Sequence, residues 1–269
     1  MSRAKNLLIV IVLINVIWNI LLFLNPDKQT PFNYLFNVSY GIIYLFGAAA
    51  ALWGMKKNKF SSWLGKSLVF YATALTSYTL ALFIWALYNL VLNVEVPYPS
   101  IADILWLLFV PMSSLGFVFL IFSLGGKFTF RLVVELVVLS GIMFAILYSF
   151  LNQESGLESL PTLERILDIT YPLLDSFLVA LAITGIRTTK GSLHPNLLLF
   201  VFASLFMVIA DTAFSYRSLQ DTYWNGDVVD TLYLIAGGLF ATAIISVLSM
   251  KQISEGDNKL HPVGTSSLV

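Results

Sequence analysis

The sequence has very few charged residues, no cysteine and only two histidines. Of its 269 residues, 11% are charged and 58% are hydrophobic, whereas an average soluble domain carries charge on about a quarter of its residues. Lys and Arg together number 15, as do Asp and Glu, so the basic excess that nucleic-acid binding requires is missing. The lack of cysteine excludes disulfides, thiolate nucleophiles and cysteine metal clusters. This composition indicates an integral membrane protein in a lipid bilayer.

Eight apolar runs, separated by short polar breaks, make up most of the chain. A bilayer core of about 30 Å requires roughly 20 consecutive apolar residues per helix. The runs are continuous and do not alternate between apolar and polar residues, so they predict helices and not barrel strands. We therefore predict an all-α, polytopic membrane protein with eight transmembrane helices. The predicted spans are 6–24, 34–54, 67–92, 102–124, 132–151, 167–186, 196–216 and 229–249.

Basic residues lie almost entirely on one side of the predicted bundle. If both termini are on that side, it holds 12 of the Lys and Arg residues, and the opposite side holds only Lys28, Arg165 and Arg217. Cytoplasmic segments of membrane proteins are enriched in Lys and Arg. We therefore predict a multi-pass protein of the cell membrane with both termini in the cytoplasm. The acidic residues are distributed in reverse, with 12 on the outer side and three on the inner side.

The predicted spans contain no motif of a known reaction or cofactor site. No Lys lies in the middle of a span and no His lies in any span, which argues against retinal, bis-His haem, a His-liganded metal and a Ser-His-Asp triad. The sequence also lacks the G-x-S-x-G and G-x-x-x-x-G-K-[ST] motifs. Asp175 and Asp211 have the form of an intramembrane aspartyl dyad, but their neighbours do not resemble those of such proteases. We expect neither an enzyme nor a cofactor.

The two halves of the chain resemble each other at nearly constant spacing. Tyr40 in the second predicted helix matches Tyr171 in the sixth, 131 residues later, and Asp103 at the start of the fourth matches Asp230 at the start of the eighth, 127 residues later. Because the unit has four helices, both copies would point the same way, with a cavity between them. Chance similarity of apolar sequence is the alternative. The predicted units are a first repeat at 1–127, a second repeat at 128–250 and a disordered cytoplasmic tail at 251–269.

Six acidic residues lie inside predicted spans. Each ionisable group there raises the free energy of membrane insertion by at least ~2.5–3.5 kcal/mol. Glu135 alone lies near the cytoplasmic face, where we predict an ordinary ion pair with Arg131, four residues earlier. The other five occupy the outer halves of their helices. They are Asp103, Asp168, Asp175, Asp211 and Asp230.

Asp103 and Asp230 begin the fourth and eighth helices. Ser100-x-x-Asp103 and Asp227-x-x-Asp230 have the spacing of boxes in which side chains satisfy free amides at a helix start. Structural capping is therefore the first interpretation of both residues. The alternative is that they line the rim of an outward-facing vestibule.

Asp175 and Asp211 lie too deep in their helices for capping. Asp175 shares one face of the sixth helix with Tyr171, and Asp211 lies more than a turn from the outer end of the seventh. We predict that this pair holds a polar ligand, an ion or a proton. The alternative is a hydrogen-bonded brace between the two helices, with Arg217 or Arg165 as its counter-ion.

Tyr and Trp are concentrated on the predicted outer side. An interfacial aromatic belt explains most of them, and three are placed where they would line the cavity: Tyr171, Trp106 and Tyr233. No metal site is predicted. The predicted ligand-binding set is Asp175, Asp211, Tyr171, Asp103, Asp230, Trp106, Tyr233 and Arg217.

Three short segments, Pro99–Pro111, Thr170–Asp175 and Thr222–Tyr233 together with Ala210-Asp211, carry a family resemblance. They resemble the PSLAD-x-x-Y/W-L signature, the YP-x-x-D segment and the last two helices of the N-terminal membrane region of many bacterial diguanylate cyclases and phosphodiesterases, the GGDEF and EAL proteins. The resemblance implies a multi-helix sensory module that passes a signal to cytoplasmic output domains, and it implies no catalytic residues. The chain ends about 20 residues after the eighth predicted helix, without heptads. We therefore expect a module without an output domain.

Two functions stay open at this point. The first is a membrane protein of the sensor type, which binds a small ligand, lipid or ion in an outward-facing pocket and signals through a separate cytoplasmic or membrane partner. The alternative is a small secondary transporter or channel built from two parallel repeats. A transporter needs polar positions along the whole route. The inner halves of the sixth and eighth helices are mostly apolar and small, which favours the sensor.

Overall fold

Eight long helices follow one another along the chain, as the apolar runs predict. The computed structural model describes residues 2–155, 161–188 and 195–260, and these residues contain no strand. All eight helices are long and apolar enough to cross a bilayer, so the chain is an all-α, polytopic membrane protein. The helices are α1 (Ser2–Leu24), α2 (Pro31–Asn58), α3 (Trp63–Leu87), α4 (Ile101–Ser123), α5 (Phe130–Ser155), α6 (Thr162–Thr188), α7 (Pro195–Leu219) and α8 (Val228–Leu260).

Several helices extend beyond the apolar runs that predict them. α2 begins at Pro31. A proline is favoured in the first helical turn, because the backbone N–H group that it lacks would have no partner within the helix and its fixed φ angle suits a helix. A π-helical turn at Tyr88–Leu92 follows α3. α8 continues to Leu260, beyond the predicted end of the last span at 249, and positions 261–269 of the predicted tail lie outside the described residues.

Short connections make consecutive helices antiparallel. The even-numbered helices therefore all begin at the same end of the bundle, which we call the distal end. The proximal end is the one at which α1 begins and α8 ends. α8 packs against α1, α2 and α7, and 61% of its membrane window is buried, whereas the corresponding value for α5 is 6%. α8 is thus a central helix and α5 a lipid-facing one.

Two glycines allow the closest helix contacts. A Cβ atom on Gly185 of α6 would lie 2.4 Å from Phe117 Cε1 and 2.8 Å from Ile121 Cδ1 of α4, and one on Gly54 of α2 would lie 2.4 Å from Leu248 Cδ2 of α8. Lipid provides no hydrophobic drive for helix association, so close packing at small residues is a main source of attraction. Gly185 and Gly54 thereby fix α6 on α4 and α2 on α8.

Some contacts of α2 with α8 and its preceding loop have counterparts, at the offsets of the repeat, in contacts of α6 with α4 and its preceding loop. The Tyr40 hydroxyl donates to Asp230 Oδ1 at 3.0 Å, and the Tyr171 hydroxyl donates to Asp103 Oδ1 at 3.0 Å. The matched tyrosines are 131 residues apart and the matched aspartates 127 residues apart, which are the predicted offsets of the repeat.

The same offsets relate two further pairs of contacts. Asn37 Nδ2 donates to Asn225 Oδ1 at 2.5 Å, and the equivalent positions are joined by the Tyr98 hydroxyl, which donates to Asp168 Oδ1 at 2.5 Å. The glycine contacts described above form the other pair, because Leu248 lies 127 residues after Ile121. The repeat stays a prediction, which these three pairs of contacts support.

Glu135 forms an ion pair with a neighbouring helix and not with its own. Arg187 Nη1, in the last turn of α6, donates to Glu135 Oε1 in the second turn of α5. Because α5 and α6 are antiparallel neighbours, these two turns meet at the proximal end. The predicted pair with Arg131 is not formed in the described part of the chain.

Candidate functional site

A cavity of about 440 Å³ opens at the distal end of the bundle. This volume lies within the range of small-molecule sites. Both predicted repeat units contribute to its wall, since helices from α2 to α8 surround it. Six of the eight residues in the predicted ligand-binding set line the cavity: Asp103, Trp106, Tyr171, Asp211, Asp230 and Tyr233.

Asp103 caps α4 and lines the cavity at the same time. The Ser100 amide donates to Asp103 Oδ2 at 2.7 Å, and Ser100 Oγ accepts from the Ala102 amide, so the predicted box is present. The other carboxylate oxygen, Oδ1, accepts from Tyr171 of α6. The two interpretations of Asp103, capping and cavity wall, are therefore compatible.

Asp230 is held in the same way at the start of α8. Its Oδ2 atom accepts from the Gly226 amide at 2.5 Å, and its Oδ1 atom accepts from the hydroxyls of Tyr40 and Tyr223 at 3.0 and 3.3 Å. The cap itself is Asp227, whose Oδ1 atom accepts from the Val229 amide at 2.7 Å. Asp230 therefore bridges α2, α8 and the α7–α8 loop beside the cavity.

Asp175 and Asp211 lie side by side where α6 meets α7, and the buried Oδ1 atom of Asp175 has no hydrogen-bond partner among the described residues. Asp211 lines the cavity and also accepts from the Tyr233 hydroxyl at 2.7 Å. Asp175 lies behind it with only 2% of its surface exposed. The predicted pair is thus a contact between α6 and α7 in which only Asp211 lines the cavity.

Arg217 lies away from this pair and outside the cavity wall. Its Nε atom donates to Asp227 Oδ2 at 2.6 Å, and its Nη2 atom donates to the Thr222 carbonyl oxygen at 2.8 Å. Burial raises the pKa of Asp227, and the nearby guanidinium opposes that shift. Arg217 thus anchors the α7–α8 loop to the end of α7.

Tyrosine hydroxyls are the side-chain donors that recur throughout the cavity. Four aspartates, Asp103, Asp168, Asp211 and Asp230, each accept from at least one of them. Outside the spans, burial and the neighbouring carboxylates raise the pKa values of Tyr98 and Tyr223 above the ordinary value. A phenol whose pKa is raised keeps its proton at higher pH. These two tyrosines therefore remain donors over a wide pH range.

Packed aromatic rings close the proximal side of the cavity. Phe109 is part of the wall, and its ring centroid lies 5.6 Å from that of Phe240. Beneath it, Tyr71 stacks on Phe200 at 4.6 Å, and the rings of Phe200 and Phe240 are 6.3 Å apart. These four side chains are at most 2% exposed. The layer they form separates the cavity from the proximal half of the bundle.

Sequence reasoning missed several wall residues, of which Asn37 and Trp85 are the most informative. Asn37 is 1% exposed, and its Oδ1 atom has no hydrogen-bond partner among the described residues. Trp85 Nε1 donates to Asn225 Oδ1 at 2.8 Å, whereas the buried Nε1 atom of Trp106 has no acceptor in the described structure. The offset of 131 that pairs Tyr40 with Tyr171 also pairs Asn37 with Asp168, and that signal was present in the sequence.

The chain matches no protein-family model, no curated protein and no solved structure. The resemblance to the membrane region of diguanylate cyclases and phosphodiesterases therefore stays an expectation carried by short segments. Pro99–Pro111 begins α4, Thr170–Asp175 lies in the distal half of α6, and Thr222–Tyr233 leads into α8. All three segments contribute residues to the cavity or to its immediate support.

Proposed function

We propose that this integral membrane protein binds a small molecule, a lipid headgroup or an ion in the distal cavity and signals through a separate partner at the proximal end. The main observation that supports this proposal is the cavity, which brings together polar side chains from helices that are distant in the sequence. The basic residues are concentrated at the proximal end, which supports a cytoplasmic position for that end.

Binding without transport is favoured by the aromatic layer formed by Tyr71, Phe109, Phe200 and Phe240. A transport route would need polar side chains or water beyond the cavity floor. The buried hydroxyl of Ser204, at the level of that layer, and that of Thr184, on its proximal side, instead donate to carbonyl oxygens of their own helices. Neither hydroxyl is therefore free to bind a transported solute.

α8 supplies the physical link between the cavity and a partner. Asp230 and Tyr233 place its first turns in the cavity wall, and the helix continues past the membrane window, which ends at Ser249, as far as Leu260. A ligand that shifts the start of this helix also moves its other end. A ligand biases such an equilibrium only by its differential affinity for the two positions.

The test is a small-molecule library screened by thermal unfolding of the purified full chain in lipid nanodiscs. Compounds that bind the cavity raise the unfolding temperature, because they bind the folded state. Ser215→Trp introduces a large ring into the wall of the cavity and is expected to abolish these shifts. Phe202→Trp, on the same helix at a position 50% exposed to lipid, is the matched control and should keep them.

Two results would contradict the proposal. Shifts that survive Ser215→Trp unchanged would place the binding site elsewhere. Accumulation of a stabilising compound inside sealed proteoliposomes would establish transport, the alternative function, in place of sensing.

A further inference from the structure

The distal cavity has an acidic lining without a basic counterpart. None of its acidic side chains forms an ion pair in the described part of the chain, where the two ion pairs join Arg187 to Glu135 and Arg217 to Asp227. No Lys, Arg or His lines the cavity among the described residues. Its acidic residues are Glu95, Asp103, Glu164, Asp168, Asp211 and Asp230.

The donors that hold these acidic groups are neutral. Phenol hydroxyls and backbone amides satisfy the oxygens of Asp103 and Asp230, but they do not cancel charge. A concave site lined by charge of one sign concentrates counter-ions. The occupant that complements this lining is therefore a cation.

Aromatic rings surround the acidic groups. The ring centroids of Trp85 and Trp106 lie 5.8 Å apart, and those of Phe214 and Tyr223 lie 4.8 Å apart. Ring faces attract ammonium and guanidinium groups, most strongly when the cation is desolvated. The cation–π contacts in the described structure, such as Lys28 over Trp224 at 4.4 Å, all lie outside the cavity, so its own rings lack a cation.

Asn37 provides an unpaired hydrogen-bond acceptor in the cavity wall. Its Nδ2 atom is engaged by Asn225, and its buried Oδ1 atom accepts no hydrogen bond from the described residues. Buried polar atoms are nearly always paired. An N–H group on a ligand would complete this amide, whereas a quaternary ammonium would not.

We propose that the distal cavity binds an organic cation with N–H groups, a primary amine or a guanidinium compound. Its charge would face Asp211 and Asp230, a ring of the wall would cover it, and Asn37 Oδ1 would accept one N–H. A metal ion fits less well, since no cluster of three or more His, Asp or Glu side chains in the described chain has the arrangement of a metal site. This proposal rests on the proposed function and names its ligand class.

The test compares small probes on the purified full chain in phosphatidylcholine nanodiscs. Phenethylamine and benzylguanidine carry charge and N–H groups, benzyltrimethylammonium carries charge alone, and 2-phenylethanol is neutral. We expect the first two to bind roughly tenfold or more tightly than either of the others, which is the usual cost of one lost charged hydrogen bond. Equal affinity for 2-phenylethanol would overturn the cation assignment and leave the cavity as a binding site. Equal affinity for benzyltrimethylammonium would overturn the role of Asn37.

Charge-removing variants locate the bound cation. Asp211→Asn should weaken phenethylamine roughly tenfold without changing 2-phenylethanol. Asp168→Asn, nearer the mouth, provides a second variant should the first not fold. Asp221→Asn, in the exposed α7–α8 loop, is the matched control and should leave all affinities unchanged. Undiminished phenethylamine binding in both cavity variants would overturn the proposal.

The amine has two sources, a soluble compound or the headgroup of phosphatidylethanolamine. Nanodiscs with and without phosphatidylethanolamine distinguish them, because a lipid amine in the cavity competes with phenethylamine. Competition supports the lipid source, and its absence with retained phenethylamine binding supports the soluble source. If no probe binds while other library compounds still give shifts sensitive to Ser215→Trp, the cation class is wrong and the proposed function stands.

Discussion

Asp175 and Asp211 illustrate how one buried contact serves both structure and site. Asp211 faces the cavity, and Asp175 reaches it only through Asp211. The two sequence interpretations, a ligand-holding pair and a structural brace, stay predictions. We expect Asp175 to act as a positioning residue for Asp211.

We predict that Asp175→Asn preserves the fold and that Asp175→Ala does not. An Asn amide at this position can donate a hydrogen bond to the neighbouring Asp211 carboxylate, so the free energy of unfolding should change by less than about 0.5 kcal/mol. Ala leaves a buried carboxyl group without this partner and should cost about 2–3 kcal/mol. Unfolding in mixed micelles measures both. Equal losses in the two variants would contradict a positioning role for Asp175.

Residue-level chemistry could be predicted where it depends on local spacing. Ser100 and Asp103 are three residues apart, so their box was readable from the sequence. The hydrogen bond between Tyr98 and Asp168 joins a loop to a helix 70 residues later in the sequence, and no local sequence pattern predicts it. Arg217 is a similar case, because its choice of Asp227 follows from the shape of the α7–α8 loop.

At the scale of helices, the contact between α4 and α6 depends on Gly185. We predict that Gly185→Ala lowers the free energy of unfolding by about 1–3 kcal/mol, since its Cβ atom would overlap the buried side chains of Phe117 and Ile121. Thermal unfolding of the purified protein measures the loss.

Gly141→Ala on α5 is the matched control for that substitution. Nothing lies within 4 Å of its added Cβ atom, and replacing a helical Gly by Ala gains up to about 1 kcal/mol. We therefore expect stability to be unchanged or higher. A loss at Gly141 as large as that at Gly185 would contradict the close-packing explanation.

The helices themselves were predictable because each is a continuous apolar run of the length that a bilayer requires. The rotation of each helix about its own axis was less predictable, because a nearly uniform apolar surface does not identify which face is buried. That is why Phe109 and Trp85 were not predicted as cavity residues. The π-helical turn at Tyr88–Leu92 also lacks a distinctive sequence signal.

The whole molecule is electrically polarised, with most basic residues at its proximal end and most acidic residues at its distal end. We predict that the distal end faces outward. The chain has no cysteine, so single-cysteine variants can be labelled without background. Gln29→Cys, in the distal α1–α2 loop, should react with a membrane-impermeant maleimide on intact cells.

Lys127→Cys, in the proximal α4–α5 loop, should react only after permeabilisation. Both native side chains are exposed, so accessibility within the protein does not limit either reaction. The opposite labelling pattern would invert the predicted orientation and place the cavity mouth in the cytoplasm.

The number of spans and the acidic end were predictable at this scale because hydropathy and charge are additive along the chain. The cavity could not be predicted from these sums, because its wall combines residues from both halves of the chain. These residues include Tyr40, Asp103, Tyr171 and Asp230. The predicted offsets of 131 and 127 match Tyr40 with Tyr171 and Asp103 with Asp230, but they did not specify that each tyrosine would contact the aspartate of the other half.

The length of α8 has a mechanical consequence. About 30 residues separate Asp230 from Leu260, which at 1.5 Å per residue makes a lever arm of about 45 Å. If the helix stays straight, a tilt of about 5° at the cavity displaces its far end by about 4 Å. That movement is about three quarters of the pitch of a helical turn. We therefore expect a ligand that tilts α8 at the cavity to displace the helix end on the opposite side of the membrane.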